Sequence, residues 1–327
     1  MLTRRRVMAL LGTAMLAPGL FAQARRGPLR IAYFSEGTSE KYKPYVESFR
    51  AGLRELGYQE GKNVTLEFYW RGDTIKVFRW LAFDVVRAKP DLIVTTCEIT
   101  ATAASKATST IPIVMAAAND PVTHGLVAGL ARPGGNVTGV SNNQIEISVK
   151  RLELLKELMP SIKRVGMLCW KEDPPTEIEL SSLRRAATAL RMELLRFDAE
   201  DEREFERVFE DMRKARVQAL IDFSGTSVNF PFRHQVTELA IRARLPTAFH
   251  LAELVEDGGL LSYGPNVRDG FRRAAYYVDK IAKGARPEDL PVQQPTQFEL
   301  VINLRTAKAI GIKVPQSLLV RADRVID

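Results

Sequence analysis

Segments with the spacing of β-strands alternate with segments with the spacing of helices along nearly the whole chain, and the alternation runs through twice. Residues 29–34 form a short apolar run. Residues 45–56 then carry Val46, Phe49, Leu53 and Leu56 on one helical stripe, with Gly57 past its end. Residues 64–70 alternate Val64, Leu66, Phe68 and Trp70 as a strand does, 77–88 read as a helix stopped before Pro90, and 92–96 read as a β-branched strand. A small-residue helix at 101–108 and a strand at 111–115 complete the first set. The second set opens with a helix at 149–159 (Val149, Leu152, Leu155, Leu158) closed by Pro160. Strands at 165–169, 193–197, 219–223 and 247–249 follow, separated by helices at 178–190, 202–215 and 232–244. Strands alternating with helices of this length build βαβ units and a parallel sheet. The expected fold is therefore α/β, with two Rossmann-like lobes and a crevice between them. The Gly- and Asn-rich stretch 133–143 is the natural first crossing from one lobe to the other.

The last third has its own organisation. After Tyr263-Gly264-Pro265-Asn266 comes an apolar helical stripe of Phe271, Ala274, Ala275, Val278, Ile281 and Ala282 that ends at Gly284. A polar, proline-punctuated connector, Asp289-Leu290-Pro291-Val292-Gln293-Gln294-Pro295-Thr296, leads into the strand Phe298-Glu299-Leu300-Val301-Ile302-Asn303 and a short helix at 306–310. With these features stand Ile31-Ala32, Ile111-Pro112-Ile113-Val114, Asp120-Pro121-Val122 and Ala131-Arg132-Pro133-Gly134-Gly135-Asn136-Val137-Thr138-Gly139. In this set the sequence resembles the solute-binding proteins of ABC transporters, specifically the subfamily that includes aromatic-amino-acid receptors such as the tryptophan-binding one. The resemblance implies the type I periplasmic binding protein fold, two lobes joined by a three-strand hinge that the chain crosses three times. Residues 260–263 and 292–303 match the second and third crossings. The expected division is a signal peptide at 1–24, a first lobe of 25–140 plus 261–292, and a second lobe of 141–260 plus 293–327.

Export is readable from the first residues. Arg4, Arg5 and Arg6 precede an apolar run over 7–21, and Ala22-Gln23-Ala24 places small residues at the two positions a signal peptidase reads. The run is shorter than the roughly twenty apolar residues of a membrane span. A cleaved signal peptide is expected, through either the twin-arginine or the Sec route. The first cysteine is Cys97, so no lipid-anchoring cysteine sits at the cleavage site and the mature chain is expected free in a periplasm. Cleavage lowers the formal charge from +8 to +5. The basic residues are scattered through Arg/Glu-rich helices with no aromatic interleaving, which gives no support to nucleic-acid binding. Cys97 and Cys169 fall at strand ends in different halves; a disulfide would lock the lobes, so two free thiols are expected.

Catalytic and cofactor signatures are missing. His124, His234 and His250 lie far apart with no second ligand at metal spacing. There is no Gly-x-Ser-x-Gly elbow, no phosphate-cradling loop with Lys-Ser/Thr, and no Gly-x-Gly-x-x-Gly after the first strand. Neither an enzyme nor a cofactor or metal is expected.

The chemistry lies instead at the strand carboxyl ends, where open parallel sheets bind ligands. Those ends carry Ser35, Glu36, Trp70, Thr96, Cys97, Glu98, Thr100, Asn119 and Asp120 in the first half, and Trp170, Phe223, Ser224 and His250 in the second, with Tyr263 on the returning strand. Ser35, Thr96 and Thr100 near helix starts suit a carboxylate, because the first helical turn has unpaired N–H groups and a positive dipole end. Glu98, Asp120 or Asp222 would balance an ammonium group, and Trp170, Phe223 and Tyr263 would sandwich a flat or apolar side chain. Asp120 before Pro121 equally fits a turn, and Trp70 or Trp170 a core edge. The expected function is a monomeric periplasmic receptor that captures a small carboxylate-bearing solute, an amino acid with an apolar or aromatic side chain. Its partners would be a membrane permease and ATPase, with the membrane touched only through the permease. The alternative is a sensory receptor delivering the same closed form to a membrane signalling protein.

Overall fold

The unbroken apolar runs become the inner strands of two sheets. A computed structural model describes residues 27–36, 38–70, 75–171, 176–222 and 232–327. The expected signal peptide, the candidates Phe223 and Ser224, and the side chain of Trp170 lie outside that description. The first sheet contains β1 (Leu29–Ser35), β2 (Val64–Trp70), β3 (Leu92–Thr95), β4 (Ile113–Ala118) and β5 (Val137–Ser141) in the order β2-β1-β3-β4-β5, every pair parallel. Helices α1 (Ser39–Glu55), α2 (Ile75–Arg87) and α3 (Glu98–Ala107) connect the first four strands.

The second half repeats the plan. After α4 (Gln144–Leu158), the strands β6 (Arg164–Trp170), β7 (Glu193–Ala199), β8 (Ala219–Asp222) and β9 (Thr247–Phe249) alternate with α5 (Glu177–Ala189), α6 (Phe205–Lys214) and α7 (Arg233–Arg242). A short α8 (Ala252–Glu256) leads to β10 (Leu261–Pro265). Then come α9 (Val267–Ala282), β11 (Phe298–Asn303), α10 (Leu304–Ile310), α11 (Gln316–Arg321) and β12 (Arg324–Ile326). The sheet order is β12-β11-β10-β9-β8-β6-β7, parallel except for the β10/β11 pair.

Two features shift the expected boundaries. β10 hydrogen-bonds to β9 and β11, so 261–265 belongs to the second sheet rather than to the first lobe, and the chain crosses back only at Asn266. α9, which follows, packs on α1 so closely that a Cβ on Gly52 would lie 2.4 Å from the Arg272 carbonyl oxygen. The second difference is α1 itself, which begins at Ser39 and runs across Pro44 instead of starting at 45. Proline there removes one backbone donor, but Tyr42, Tyr45, Phe49 and Leu53 lie on one buried face that outweighs the missing bond.

The crossings lie side by side. The Ser141 amide donates to the Gln293 carbonyl at 2.8 Å, and the Gln293 amide to the Gly139 carbonyl at 2.9 Å. The third connector thus runs along β5 before it enters the second sheet at Phe298. One buried apolar cluster also takes residues from both halves, including Tyr45, Phe49 and Phe271 from the first and Phe205 and Phe249 from the second. Tyr45 and Phe271 stack at 4.9 Å. Burying an aromatic of this size stabilises by about 1.5–3 kcal/mol.

Candidate functional site

Strand order decides where a crevice opens. In the first sheet β1 is flanked by β2 on one side and β3 on the other, so the winding reverses between β1 and β3. In the second it reverses between β6 and β8. Ligands of open α/β sheets bind outside the carboxyl ends at such switch points. Ser35-Glu36 and Thr96-Cys97 follow β1 and β3; Trp170 and Asp222 end β6 and β8.

At the first switch point the candidates are bonded to one another. The Thr96 hydroxyl donates to Ser35 Oγ at 3.2 Å, and the Ser35 hydroxyl to the Glu36 carbonyl at 3.0 Å. The buried Glu36 carboxylate accepts from the Tyr42 hydroxyl at 2.5 Å and from the Cys97 thiol at 3.0 Å. Burial, and next the Glu36 charge, push the Cys97 thiol well above its ordinary value. Thr100 is fully buried and works on the helix start: its hydroxyl donates to the Cys97 carbonyl at 3.0 Å and accepts from the Cys97 amide at 3.3 Å. Cys97 and Cys169 are both free thiols.

Trp70 turns toward the protein. Its ring stacks on Phe68 at 5.5 Å and packs against Tyr33 at 5.7 Å. Asn119, at the end of β4, is buried and its carbonyl accepts from the Ser141 hydroxyl at 2.8 Å, which ties the β4 exit to the first crossing.

The wall of the second half is built around a buried charge. Asp222 accepts from His250 at Nδ1 and, at 3.3 Å, from the His250 amide, and its second oxygen lies 3.7 Å from Arg151 Nε. Burial alone would raise this carboxyl; the charges of His250 and then Arg151 outweigh it and hold Asp222 below its ordinary value. Arg151 is fully buried, and it donates to Ser148 Oγ at 2.7 Å and to the Tyr263 carbonyl at 3.2 Å. Tyr263 stacks on Phe298 at 6.0 Å. His250 also lines a polar cavity of about 140 Å³ at the second crossing, with Glu253, Asn266 and Arg268.

Between the two halves sits a third group. His124, in the loop after β4, places Nε2 3.3 Å from Glu179 of α5 and 3.6 Å from Glu98 at the start of α3. Glu98 also accepts from the Asp120 amide at 3.2 Å. Burial raises the Glu98 carboxyl to about 7 and the Asp120 carboxyl to about 6, with Glu179 adding to both. Glu179 itself falls below its ordinary value, because bonds from His124 and from Thr176 outweigh its burial.

Sequence reading did not find Arg151, Glu179 or the role of His124. Gln144, Ser148 and Arg151 form a polar stripe at spacings of four and three on an otherwise apolar helix, a signal that was present for Arg151. The pairing of His124 with Glu179 leaves no local trace. Among the described residues no group of three or more His, Cys, Asp and Glu is arranged for a metal ion, and no helix is long and apolar enough to cross a membrane.

Residues 31–326 match one family, described as ABC transporter substrate binding protein. The chain belongs to that family. It is 27% identical over 269 residues to the tyrosine-binding protein of Clostridioides difficile (strain R20291), covering 82% of this chain and 76% of the relative. A Streptococcus pneumoniae ABC domain in complex with L-Trp superposes with a TM-score of 0.84 at 25% identity, covering 92% of this chain and all of that one. A conserved domain protein from Vibrio cholerae gives the same TM-score at 26% identity, over 90% of this chain and 99% of the other. These similarities establish the two-lobed type I periplasmic binding protein fold and a solute-binding family rather than an enzyme family.

Proposed function

We propose that this substrate-binding protein is the periplasmic receptor of an ABC importer and that it closes its two lobes on one amino acid with an aromatic or apolar side chain. The observation that carries this reading is a switch point in each sheet, one followed by Ser35, Thr96 and the start of α3, the other by the Asp222–His250–Arg151 group. The ligand carboxylate would lie on the first side, where α3 presents its unpaired N–H groups and dipole end. Its ammonium group would be met by Asp120, whose Oδ2 has no hydrogen-bond partner, while Asp222, sealed between Arg151 and His250, would shape the opposite wall. The relatives described as tyrosine-binding and as bound to L-Trp favour an aromatic side chain. Residues 1–24 would be removed on export, and the lobes would be 25–141 with 267–293 and 144–265 with 298–327. The closed, loaded form would be recognised by a permease and its ATPase, since a ligand shifts a two-state equilibrium by its differential affinity for the two states.

The test is calorimetric titration of the purified chain with L-tyrosine, L-tryptophan, L-leucine, L-glutamate and D-glucose. Micromolar or tighter binding, about −8 kcal/mol, is expected for an aromatic amino acid. At a hundredfold excess over Kd that ligand should add about 2.7 kcal/mol of stability. Binding of the sugar with silence from every amino acid would overturn the reading of the site.

A further inference from the structure

His124 and Glu179 stand outside the proposed solute contacts, yet they join the two lobes. His124 is carried by the first lobe and Glu179 by the second, and their contact exists only while the lobes are together. Glu179 is held for this purpose by its own helix. Its Oε2 accepts from the Thr176 amide at 2.6 Å and from the Thr176 hydroxyl at 2.8 Å, and the Glu179 amide donates to Thr176 Oγ1 at 3.3 Å. This reciprocal cap fixes the side chain and leaves Oε1 facing His124. On the other side, Glu98 Oε1 takes the Asp120 amide, while Glu98 Oε2 is buried with no hydrogen-bond partner.

We propose that His124 is the positioning residue for lobe closure, clasping Glu179 across the cleft so that capture of the ligand tightens as the solution becomes more acidic. The inference rests on the reading of the chain as a receptor that closes on a solute. The charged groups around the clasp come from four elements: Glu98 from α3, Asp120 and His124 from the loop after β4, Glu179 from α5, and Glu146 from α4. Arg79 from α2 and Lys106 from α3 line the adjoining apolar cavity that reaches Glu98 and His124. One imidazole therefore faces three carboxyl groups, Glu98 and Asp120 of its own lobe and Glu179 brought up by the second, while Glu146 acts on Asp120.

The direction follows from what closure adds. Burial is the largest influence on Glu98 and Asp120, and Glu179, with Glu146 at Asp120, pushes the same way. When the lobes part, Glu179 withdraws and Glu98 returns toward its ordinary value; at Asp120 the loss of Glu179 is opposed by loss of the Ile145 backbone bond, so Glu98 carries the direction. The closed form thus holds more protons on Glu98 than the open form between its ordinary value and about 7. Closure is then unimpeded at low pH and is weakened as pH rises through that interval. A histidine is cationic only on the acid side of about 6.5, so the contact of His124 with Glu179 carries charge, and contributes most to closure, at low pH.

The experiment measures L-tyrosine and L-tryptophan affinity of the full chain by calorimetry from pH 5.5 to 8.5, with His124→Asn and Glu98→Gln beside it. Wild-type Kd is expected to weaken about tenfold between pH 5.5 and 7.5 and to level above that. Glu98→Gln should bind more tightly than wild type at pH 8.5 and show a flatter profile. His124→Asn should lose about tenfold at pH 5.5, where an imidazole is cationic, and much less at pH 8.5, a pattern that a general packing defect would not produce. A wild-type profile flat within twofold, or a Glu98→Gln profile parallel to wild type, overturns the clasp. If neither amino acid binds, the ligand assignment fails and small-angle scattering of the unliganded chain decides the clasp. A smaller radius of gyration at pH 5.5 than at 8.5, changed in His124→Asn, supports it; equal radii, or a difference that the variant leaves unchanged, overturn it.

Discussion

Arg151 and Asp222 meet inside the second lobe, guanidinium Nε 3.7 Å from carboxylate Oδ1, with neither side chain open to water. Asp222 comes from the end of β8 at a switch point and Arg151 from the middle of α4, so the pair pins the helix after the first crossing to the floor of the crevice. Desolvating two charges is expensive; Ser148, Tyr263 and His250 bond the other atoms of the pair, while Arg151 Nε and Asp222 Oδ1 face each other without a hydrogen bond.

Removing one partner strands the other. Arg151→Met should destabilise the chain by about 3 kcal/mol, at the low end for a broken buried pair because His250 still holds Asp222. Asp222→Asn should lose a similar amount. The double variant should lose less than the sum of the two, with a coupling of about 1–3 kcal/mol in a double-mutant cycle read by urea unfolding. Additive losses would show that the two charges do not sense each other.

The same carboxyl sets the acid limit of the fold. Asp222 lies below its ordinary value of 3.8 in the folded chain, so the stability it contributes is present above that value and is lost as pH falls through the folded one. Glu98 and Asp120 act in the opposite sense. Raised to about 7 and about 6, they penalise the folded closed form as pH climbs from their ordinary values. Thermal melts across pH should therefore peak in mild acid, fall steeply below about pH 4, and fall less steeply there in Asp222→Asn. A melting temperature that rises steadily from pH 5 to 8 would contradict the burial of Glu98.

What could be read from the chain follows from range. β1, β3 and β4 are apolar on both faces, as strands covered by helices on both sides must be, and they stand out as short hydrophobic runs. β5 did not. Its Thr138, Gly139 and Ser141 read as part of a Gly/Asn-rich connector, although Thr138 and Ser141 are buried, their hydroxyls bonded to the Leu290 and Asn119 carbonyls. β12 is three residues long with Arg324 exposed, too short and too polar to carry a period. The candidates around Ser35, Glu36, Thr96 and Cys97 were grouped because they follow neighbouring strands, and the folded chain bonds those four to one another. His124 and Glu179 are 55 residues apart in different lobes, and no local pattern links them.

Cys97 offers a chemical probe of the first switch point. Its thiol is pushed well above the ordinary value by burial first and the Glu36 charge second, so little reactive thiolate forms at pH 8. Alkylation of the folded chain by iodoacetamide, followed by peptide mass, should be at least tenfold slower at Cys97 than in the unfolded chain. Glu36→Gln removes the neighbouring charge and should speed the reaction several-fold while leaving it slower than the unfolded rate, because burial remains. A Glu36→Gln rate equal to wild type would place the carboxylate away from the sulfur. Cys169, fully buried in β6, should be silent in both.

Gly264 tests the second crossing. It sits on β10 opposite Glu299, and a Cβ there would lie 2.0 Å from the His250 carbonyl oxygen and 3.0 Å from its carbon. Both are backbone atoms at the exit of β9, so no side chain can swing aside, and β9 and β10 would have to part. Gly264→Ala should destabilise the chain by about 2–3 kcal/mol, the range for forcing extra volume into a packed site. Because Pro265 and Asn266 lead directly into the crossing, the same displacement should also weaken ligand binding. Gly284 is the control. It ends α9 at φ +96, and a Cβ there would meet nothing within 4 Å, so its constraint is conformational rather than steric. Gly284→Asn, a residue that tolerates left-handed backbone, should change stability by under about 1 kcal/mol and leave affinity alone. Comparable losses in the two variants would contradict the close approach of β10 to the His250 carbonyl.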